Sequence, residues 1–449
     1  MKNKLQIILG LGHTGLSCLR YLKTQGYTDF IVCDTRDNPP NLSVLQKEFP
    51  EVVFHAGSFA TEILSKAERI IISPGLSLHD AAIQAAMAQG IPLVGDIELF
   101  AQAVGNTVPI IAITGTNAKG TVTTMTAAMA EQAGLIVEVG GNIGTPALDL
   151  LSKPTPDLYV LELSSFQLET THTLHARAAT ILNMTPDHLD HHRDMEEYAV
   201  AKQRIYAHAE NIVYNRVDEA TLPVVASVAK QSTFALDSPP TDNDFGTQTK
   251  EGVLWLMQGN TFLLPTSELK VPGSHNVENA LAALALAQAI KLPIESCLKA
   301  LREYQGLPHR CQFVREYKGV RWYNDSKATN VGSTMAALKG FQTDTHRHLI
   351  LIAGGDAKGA DLKIASGLIK SEVHTVLVYG KDAALIQAAW KGLTKIVSVE
   401  NLKAAVEKGS SMAEKGDLVL LSPACSSLDM FKNFEERGEI FQKLVSELE

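Results

Sequence analysis

The sequence predicts an α/β protein of three domains, and three observations predict it. Short apolar runs alternate with helical patterns along nearly the whole chain, an order that builds parallel sheets covered by helices. Two of these runs end in Gly-rich turns, 10-GLGHTG-15 and 114-TGTNAKGT-121. The length of 449 residues suits about two to four domains, and 45% hydrophobic with 20% charged residues is a globular composition.

The first domain, residues 1–98, reads as Rossmann-like. QIILGLG is a strand and turn, and GLSCLRYLKTQG a helix closed by Gly26; FIVCD and RIIISPG are further strands. Residues 91–106 read as a connector with a short helix. The second domain, 99–306, reads as a P-loop-type ATPase domain, with strands PIIAITG, DLYVLELSS and AATILNMT and helices over 121–134 and 194–210. Residues 232–274 gain Pro, Asp, Gly and Thr and predict a small β-meander inserted before a helix at 276–290. The third domain, 307–449, starts near GLPHR and is again Rossmann-like, with strands HLILIAGG, TVLVYG and LVLLSPA. No short-period repeat is present.

The net charge of −9 argues against a nucleic-acid partner. Cys18, Cys33, Cys297, Cys311 and Cys425 are odd in number, scattered and without a C-x-x-C, which suits a reduced, cytoplasmic protein. The N-terminal apolar run, broken by Gly10, Gly12 and His13, is too short for a signal peptide. No run of about 18 apolar residues predicts a membrane span.

GLGHTG matches G-x-G-x-x-G between a strand and a helix, and Asp34 ends the next strand. Such a turn lets backbone amides approach a diphosphate; a ligand-free structural turn is the bland alternative. The loop at 114–121 is almost the G-x-x-x-x-G-K-[ST] phosphate loop. Ile113 replaces the first Gly, Ala118 precedes Lys119, and Gly120 stands where Ser or Thr is usual. Gly115, Thr116 and Asn117 can still cradle phosphates with backbone N–H groups, and Lys119 supplies a point charge. Ala118 there implies either a negative φ or about 1 kcal/mol of tolerated strain.

Glu162, near the end of 158-LYVLELSSFQLE-169, stands where α/β sheets place ligands and can hold Mg2+; a solvated strand-end Glu is the alternative. In 183-NMTPDHLDHHRD-194, His188 is the candidate, with Asp187, Asp190, His191 and His192 expected mostly at the surface. Lys202 is by itself an ordinary helical lysine. His275, Asn276 and Asn279 open a helix, Asn276 as a potential N-cap, and Asn side chains suit an adenine edge. Arg310 is available for phosphate. Asp325, Ser326, Lys327 and Thr329, then Lys358 and Ser427, lie in polar loops that turn chemistry alone can explain.

In their order along the chain, TGTNxK, ELSSFQLE, NMTPDHLDHH, AKQRIY, HNVENALAALA, GLPHR and NDSKATN resemble the Mur ligase family of ATP-dependent amide-forming enzymes, over essentially residues 5–445. GLGHTGLS, GGNIGTPALDLL and SPACSSLDMFKNFEERG are similar to its D-glutamate-adding branch. The resemblance implies the substrates UDP-N-acetylmuramoyl-L-alanine, D-glutamate and ATP, one for each domain, in a cytoplasmic, monomeric enzyme of peptidoglycan precursor synthesis. It implies UDP-substrate contacts at Gly12, Thr14, Gly15, Asp34, Thr35, Arg36, Ser73, Gly75, Asn142 and Ser164. ATP contacts fall on Gly115, Thr116, Asn117, Lys119, Thr121, His275, Asn276, Asn279, Arg310 and Asp325. D-Glutamate contacts fall on Lys327, Thr329, Lys358, Ser427, Leu428 and Phe434. It also implies a Lys202 carbamylated by CO2, two Mg2+ ions held through Glu162, His188 and the Lys202 carbamate, and a catalytic set of Lys119, Glu162, His188 and Lys202. Family members usually have Gly before the loop lysine and Ser or Thr after it. With Gly120 lacking a hydroxyl, Thr121 or a water is expected to fill the metal position.

A folylpolyglutamate synthase-like ligase shares the ATP-domain logic, but the N-terminal Gly-rich domain argues against it. An NAD-dependent dehydrogenase leaves the Lys119 loop, Glu162 and the 187–192 loop unexplained. A non-catalytic nucleotide-binding regulator is the remaining class.

Overall fold

The computed structural model describes residues 4–185, 191–224, 229–271, 273–342 and 346–449. The chain forms two compact units, one of Met1–Leu264 with Asn279–Leu301 and one of Pro265–Glu278 with Arg302–Glu449. Among the described residues no helix is long and apolar enough to cross a membrane.

The first unit holds two sheets. One consists of β1 (Gln6–Leu9), β2 (Phe30–Asp34), β3 (Val53–Ala56), β4 (Arg69–Ile72) and β5 (Leu93–Val94). Its order is β3-β2-β1-β4-β5 and every pair is parallel. The apolar runs expected as strands are the buried central ones: Ile7, Ile8, Leu9, Val32, Ile70 and Ile71 are almost wholly inaccessible. A parallel strand covered on both faces is apolar throughout. Edge strand β3 is mostly exposed and gave no such run.

The second sheet contains β6 (Ile110–Thr114), β7 (Val137–Gly141), β8 (Leu158–Glu162), β9 (Ala178–Ile181), β10 (Asn211–Asn215), β11 (Lys230–Phe234), β12 (Phe245–Lys250), β13 (Val253–Gln258) and β14 (Thr261–Pro265). Their order is β14-β13-β12-β11-β10-β9-β6-β8-β7. The meander expected from residues 232–274 therefore extends the central sheet at its edge. It begins with the β12–β13 hairpin, whose turn residues Glu251 and Gly252 have φ of 53° and 78°, the left-handed pair that tight hairpins require.

Helix Asp96–Val104 links the two sheets of this unit. Buried Glu98 accepts hydrogen bonds from the backbone N–H groups of His172 and Thr173 at 2.7 and 2.9 Å. Gln167 Nε2 donates to buried Asp96 at 2.9 Å. Residue 98 thus lies inside a packed helix, whereas residue 306 follows helix Ile294–Glu303 in a loop.

The second unit carries β15 (Gln312–Tyr317), β16 (Val320–Asn324), β17 (Leu349–Gly354), β18 (Thr375–Tyr379), β19 (Lys395–Ser398) and β20 (Leu418–Leu421), in the order β15-β16-β20-β17-β18-β19. Only the β15–β16 pair is antiparallel. Strand β16 ends at Asn324, so the polar loop that carries Ser326, Lys327 and Thr329 begins at Asp325. Buried Leu349, Leu351, Val376, Val378, Leu418 and Leu420 form the core of one face.

Candidate active site

The Gly-rich turn of the first sheet is closed from within. Ser73 Oγ donates to the Gly10 carbonyl at 3.1 Å. A Cβ on Gly15 would stand 1.9 Å from that same carbonyl oxygen, so the helix can pack this close only without a side chain there. Asp34 is buried, and its carboxylate accepts from the Leu11 amide at 2.8 Å and from the amide and guanidinium of Arg36 at 2.7 to 2.9 Å. The Arg36 guanidinium, then the two amides, hold the carboxyl down at about 2. Asp34 thus shapes the turn and orients Arg36. Thr35, Arg36 and Gly75 are exposed, while Gly12, Thr14 and Ser73 are partly buried.

The phosphate-type loop lies between β6, an inner strand of the second sheet, and helix Lys119–Gln132. The expected helix over 121–134 starts two residues earlier, so Lys119 is already helical. Ala118 adopts φ 64° and ψ 0°, and no side chain caps this helix N-terminus. Of the two conformations open to Ala118, the structure has the strained one. An uncapped N-terminus after a left-handed residue is a favourable place for anions. Asn183, which the sequence reading did not single out, braces the loop: its Oδ1 accepts from the Asn117 amide at 2.8 Å and its carbonyl from the Thr116 amide at 3.0 Å.

Two ammonium groups meet on one oxygen of this loop. Lys119 Nζ donates to the Gly115 and Thr116 carbonyls, each at 3.0 Å. Lys202 Nζ donates to the same Gly115 carbonyl at 2.9 Å and lies 3.3 Å from Thr114 Oγ1. Lys202 is only 1% exposed, which corrects its reading as an ordinary helical lysine. Its ammonium sits 4.6 Å from the centre of the Tyr198 ring, and the Tyr198 hydroxyl is 3.0 Å from Thr116 Oγ1. Tyr198 stands four residues before Lys202 on one helix face, the signal that could have revealed it.

Strand register brings the carboxylate to the loop. Ile113 of β6 pairs with Glu162 of β8, and Gly141 of β7 pairs with Glu162 from the other side. Asn142 Nδ2 donates to Glu162 Oε1 at 2.7 Å, and the Asn142 amide donates to the Glu162 carbonyl at 2.8 Å. Ser164, beginning the next helix, forms a capping box with Gln167. Thr121 lies in the first turn of the loop helix and is partly exposed.

His188, Asp187 and Asp190 lie outside the described residues. His191 and His192 are not surface residues: their side chains are 10% and 0% exposed, and both face Glu169. Asn276 is the third residue of helix Ser274–Ala289 and not its N-cap; its amide donates to the Gly273 carbonyl. Asn276 and Asn279 are buried, and the His275 ring packs close to Gly273 and Gly340.

In the second unit, Asp325 is buried at the end of β16 and accepts from Ser422 Oγ at 2.7 Å and the Cys311 amide at 3.2 Å. Burial raises its carboxyl to about 7. Lys327 places its ammonium 5.1 Å from the Phe434 ring centre, so these two D-glutamate candidates meet. Fully buried Arg437 ties the loops together, donating to Ser326 Oγ at 2.9 Å, the Ser326 carbonyl at 2.8 Å and the Cys425 carbonyl at 3.2 Å. It was missed because its polar partners are assembled only by the fold. Ser427 is buried, Thr329 and Phe434 are partly exposed, and Arg310, Lys358 and Leu428 are exposed. The Asp356 and Ser426 backbones bond each other, which brings the Lys358 loop beside the Ser427 loop.

A sheet whose inner parallel strand β6 ends in a phosphate loop, with a carboxylate at the end of the neighbouring strand β8, defines a nucleotide-binding α/β protein of P-loop type. Three family models cover most of the chain: "Mur ligase MurD-like, N-terminal domain" over residues 4–95, "Mur ligase middle domain" over 113–287 and "Mur ligase, glutamate ligase domain" over 309–425. The chain is 48% identical over 443 residues to the UDP-N-acetylmuramoylalanine--D-glutamate ligase of Pseudomonas aeruginosa, covering 99% of this chain and 98% of that one. It is 47% identical over 442 residues to the enzyme of the same name from Nitrosococcus oceani, with 98% and 96% covered. Among solved structures it resembles the UDP-N-acetylmuramate-alanine ligase of Thermotoga maritima (TM-score 0.57, 18% identity, 98% and 99% covered). A UDP-N-acetylmuramoyl-L-alanyl-D-glutamate--2,6-diaminopimelate ligase also matches (TM-score 0.61, 19% identity, 93% and 92% covered). The chain belongs to the Mur ligase family.

Proposed function

We propose that this chain joins D-glutamate to UDP-N-acetylmuramoyl-L-alanine at the expense of ATP, as a cytoplasmic monomer in peptidoglycan precursor synthesis. The observation that carries this reading is the loop at 114–121 with Lys119, Lys202, Glu162 and Asn142 gathered on it, in a chain nearly half identical to D-glutamate ligases over their full length. We assign residues 1–98 to the UDP-sugar, 99–306 to ATP and 307–449 to the amino acid.

The reaction must make a carboxylate electrophilic. Transfer of the ATP γ-phosphoryl group to the L-alanyl carboxylate gives an acyl phosphate. The D-glutamate amine adds to its carbonyl, and the tetrahedral intermediate expels phosphate as the amide forms. An anionic carboxylate has to approach an anionic triphosphate, so positive charge is needed between them. Lys119 turns from the loop carbonyls onto the phosphates, and the loop amides hold the β-phosphate side. Asn142 and Ser164 hold the sugar-peptide, while Lys327, Thr329, Lys358, Ser427, Leu428 and Phe434 receive D-glutamate.

Members of the family use Mg2+. The donors here fit it: Glu162 is a hard oxygen ligand at a strand end, oriented by Asn142. Bound Mg2+ would supply charge neutralisation between the phosphates and the carboxylate. Glu162 would hold one ion, with Thr121 or water in place of the hydroxyl that Gly120 lacks. Lys202 as an ammonium repels a cation and as a carbamate attracts one. We therefore assign a carbamate on Lys202, with His188, to a second ion.

Phosphate release in the presence of ATP, Mg2+ and UDP-N-acetylmuramoyl-L-alanine tests the reading. Release that depends on D-glutamate is expected. Release that ignores D-glutamate, or requires a folate instead, sinks it.

A further inference from the structure

A histidine cluster lies beside this machinery, the His192 ring packing 5.2 Å from the Tyr198 ring. His191 Nε2 is 2.9 Å from Glu169 Oε2, and His192 Nδ1 is 3.3 Å from Glu169 Oε1. One carboxylate therefore offers a different oxygen to each ring. The three residues present ligand atoms within 4.8 Å of one another, with side chains only 12%, 10% and 0% exposed. Donors around one tetrahedral ion at about 2.1 Å stand roughly 3.4 Å apart; the two imidazole–carboxylate distances of 2.9 and 3.3 Å are already close to that, and the three donors as a set, within 4.8 Å, have to draw in by at most about 1.4 Å.

The surroundings fit a ligand set. His192 Nε2 lies 3.0 Å from Ser165 Oγ. With an ion between Nδ1 and the carboxylate, Nε2 would carry the proton and donate to that hydroxyl, the outer partner that a metal-bound imidazole needs. The Phe166 ring packs on both imidazoles, at 4.3 and 5.6 Å between centroids, and holds their planes.

We propose that Glu169, His191 and His192 form a binding site for a zinc-class divalent cation. Two imidazoles with one carboxylate select such an ion over Mg2+, and three protein donors leave a fourth position for water. The ion staples the segment after β9 to helix Ser165–Glu169, which follows Glu162. None of the three residues belongs to the set assigned to Mg2+, so the site stands apart from the ligase reading.

The full-length protein, stripped with a chelator and kept in excess Mg2+, is titrated with Zn2+ by calorimetry and with Co2+ by visible absorbance. One equivalent is expected to bind, with the visible band of four-coordinate Co2+. Affinity falls at least about tenfold in His191→Ala and in Glu169→Gln. It is unchanged in His348→Ala, which breaks another close histidine pair, His348 stacked on His374. Zn2+ is expected to raise the melting temperature of the parent protein and not that of His191→Ala with matching circular dichroism. No stoichiometric binding, equal binding in both cluster variants, or a similar loss in His348→Ala overturns the proposal.

Discussion

The triplet Ala-Lys-Gly occurs twice, at 118–120 and 357–359, each time just beyond a buried parallel strand, and the two copies fold differently. After β6 the left-handed residue is Ala118, at φ 64°, and Lys119 starts a helix of 14 residues. Its ammonium folds back over the loop carbonyls. After β17 the left-handed residues are Lys358 and Gly359, at φ 51° and 76°, while Ala357 keeps a negative φ. The Ala357 amide is held by Asp382 at 2.8 Å and the Lys358 amide by Asp356 at 2.9 Å. The chain then makes a short 3-10 turn, Leu362–Ala365, capped by Asp361, before the seven-residue helix Ser366–Glu372. A one-residue shift of the left-handed position separates a lysine bound over its own loop from one exposed to solvent. The triplet does not choose between them; the neighbouring carboxylates and the following helix do.

The largest test of this contrast is Lys119→Ala. ATP-dependent phosphate release is expected to fall by about 10²–10³-fold, and near-normal turnover would dissolve the distinction. Lys358→Ala is expected to act on the amino acid: the KM for D-glutamate rises by roughly 10–100-fold while the KM for ATP stays within about twofold.

The strand-end carboxylates differ too. Glu162 accepts from an amide side chain, whereas burial raises Asp325 from an ordinary 3.8 to about 7. A raised carboxyl keeps its proton longer when folded, so its contribution is most favourable below about pH 4 and is lost as pH rises to about 7. Asp325→Asn is therefore expected to flatten the fall in urea stability between about pH 4 and 7, by on the order of 1–3 kcal/mol. Ser422 Oγ can turn toward Thr334 Oγ1, 3.0 Å away, to accept the new amide. An unchanged slope would remove Asp325 as its source.

The smallest effect is the sharpest on geometry. Ala118→Gly relieves a left-handed alanine and is expected to stabilise the protein by up to about 1 kcal/mol, whereas Ala357→Gly should destabilise it by about 0.5–1 kcal/mol. Equal melting temperatures for the two variants would contradict the assigned φ values.

The sequence revealed what is local. Runs such as IIAIT and LVLL announce buried parallel strands because both their faces are covered. β3 and β19, with exposed or half-buried positions, carry no comparable run and went unseen. The positions of Lys119, in the turn after β6, and of Glu162, at the end of β8, were legible from the strand pattern. The contact of Lys202 with Gly115 spans 87 residues, and that of Arg437 with Ser326 spans 111. For Lys202 only Tyr198, four residues earlier on the same helix face, hints at this burial. His191 and His192 read as surface residues because polarity alone was visible, and not the carboxylate of Glu169 that covers them.

The route of the chain has a consequence for its synthesis. Residues 265–278 leave the first unit and residues 279–301 return to it, bringing back a helix whose positions Ala280 to Ala287 are at most 1% exposed. A helix buried on every side has no solvent face of its own. As the polypeptide emerges from the ribosome, the first 264 residues must therefore wait, with an apolar seat open, until this late helix is made. That interval is when a nascent chain is most exposed to aggregation and most in need of a chaperone.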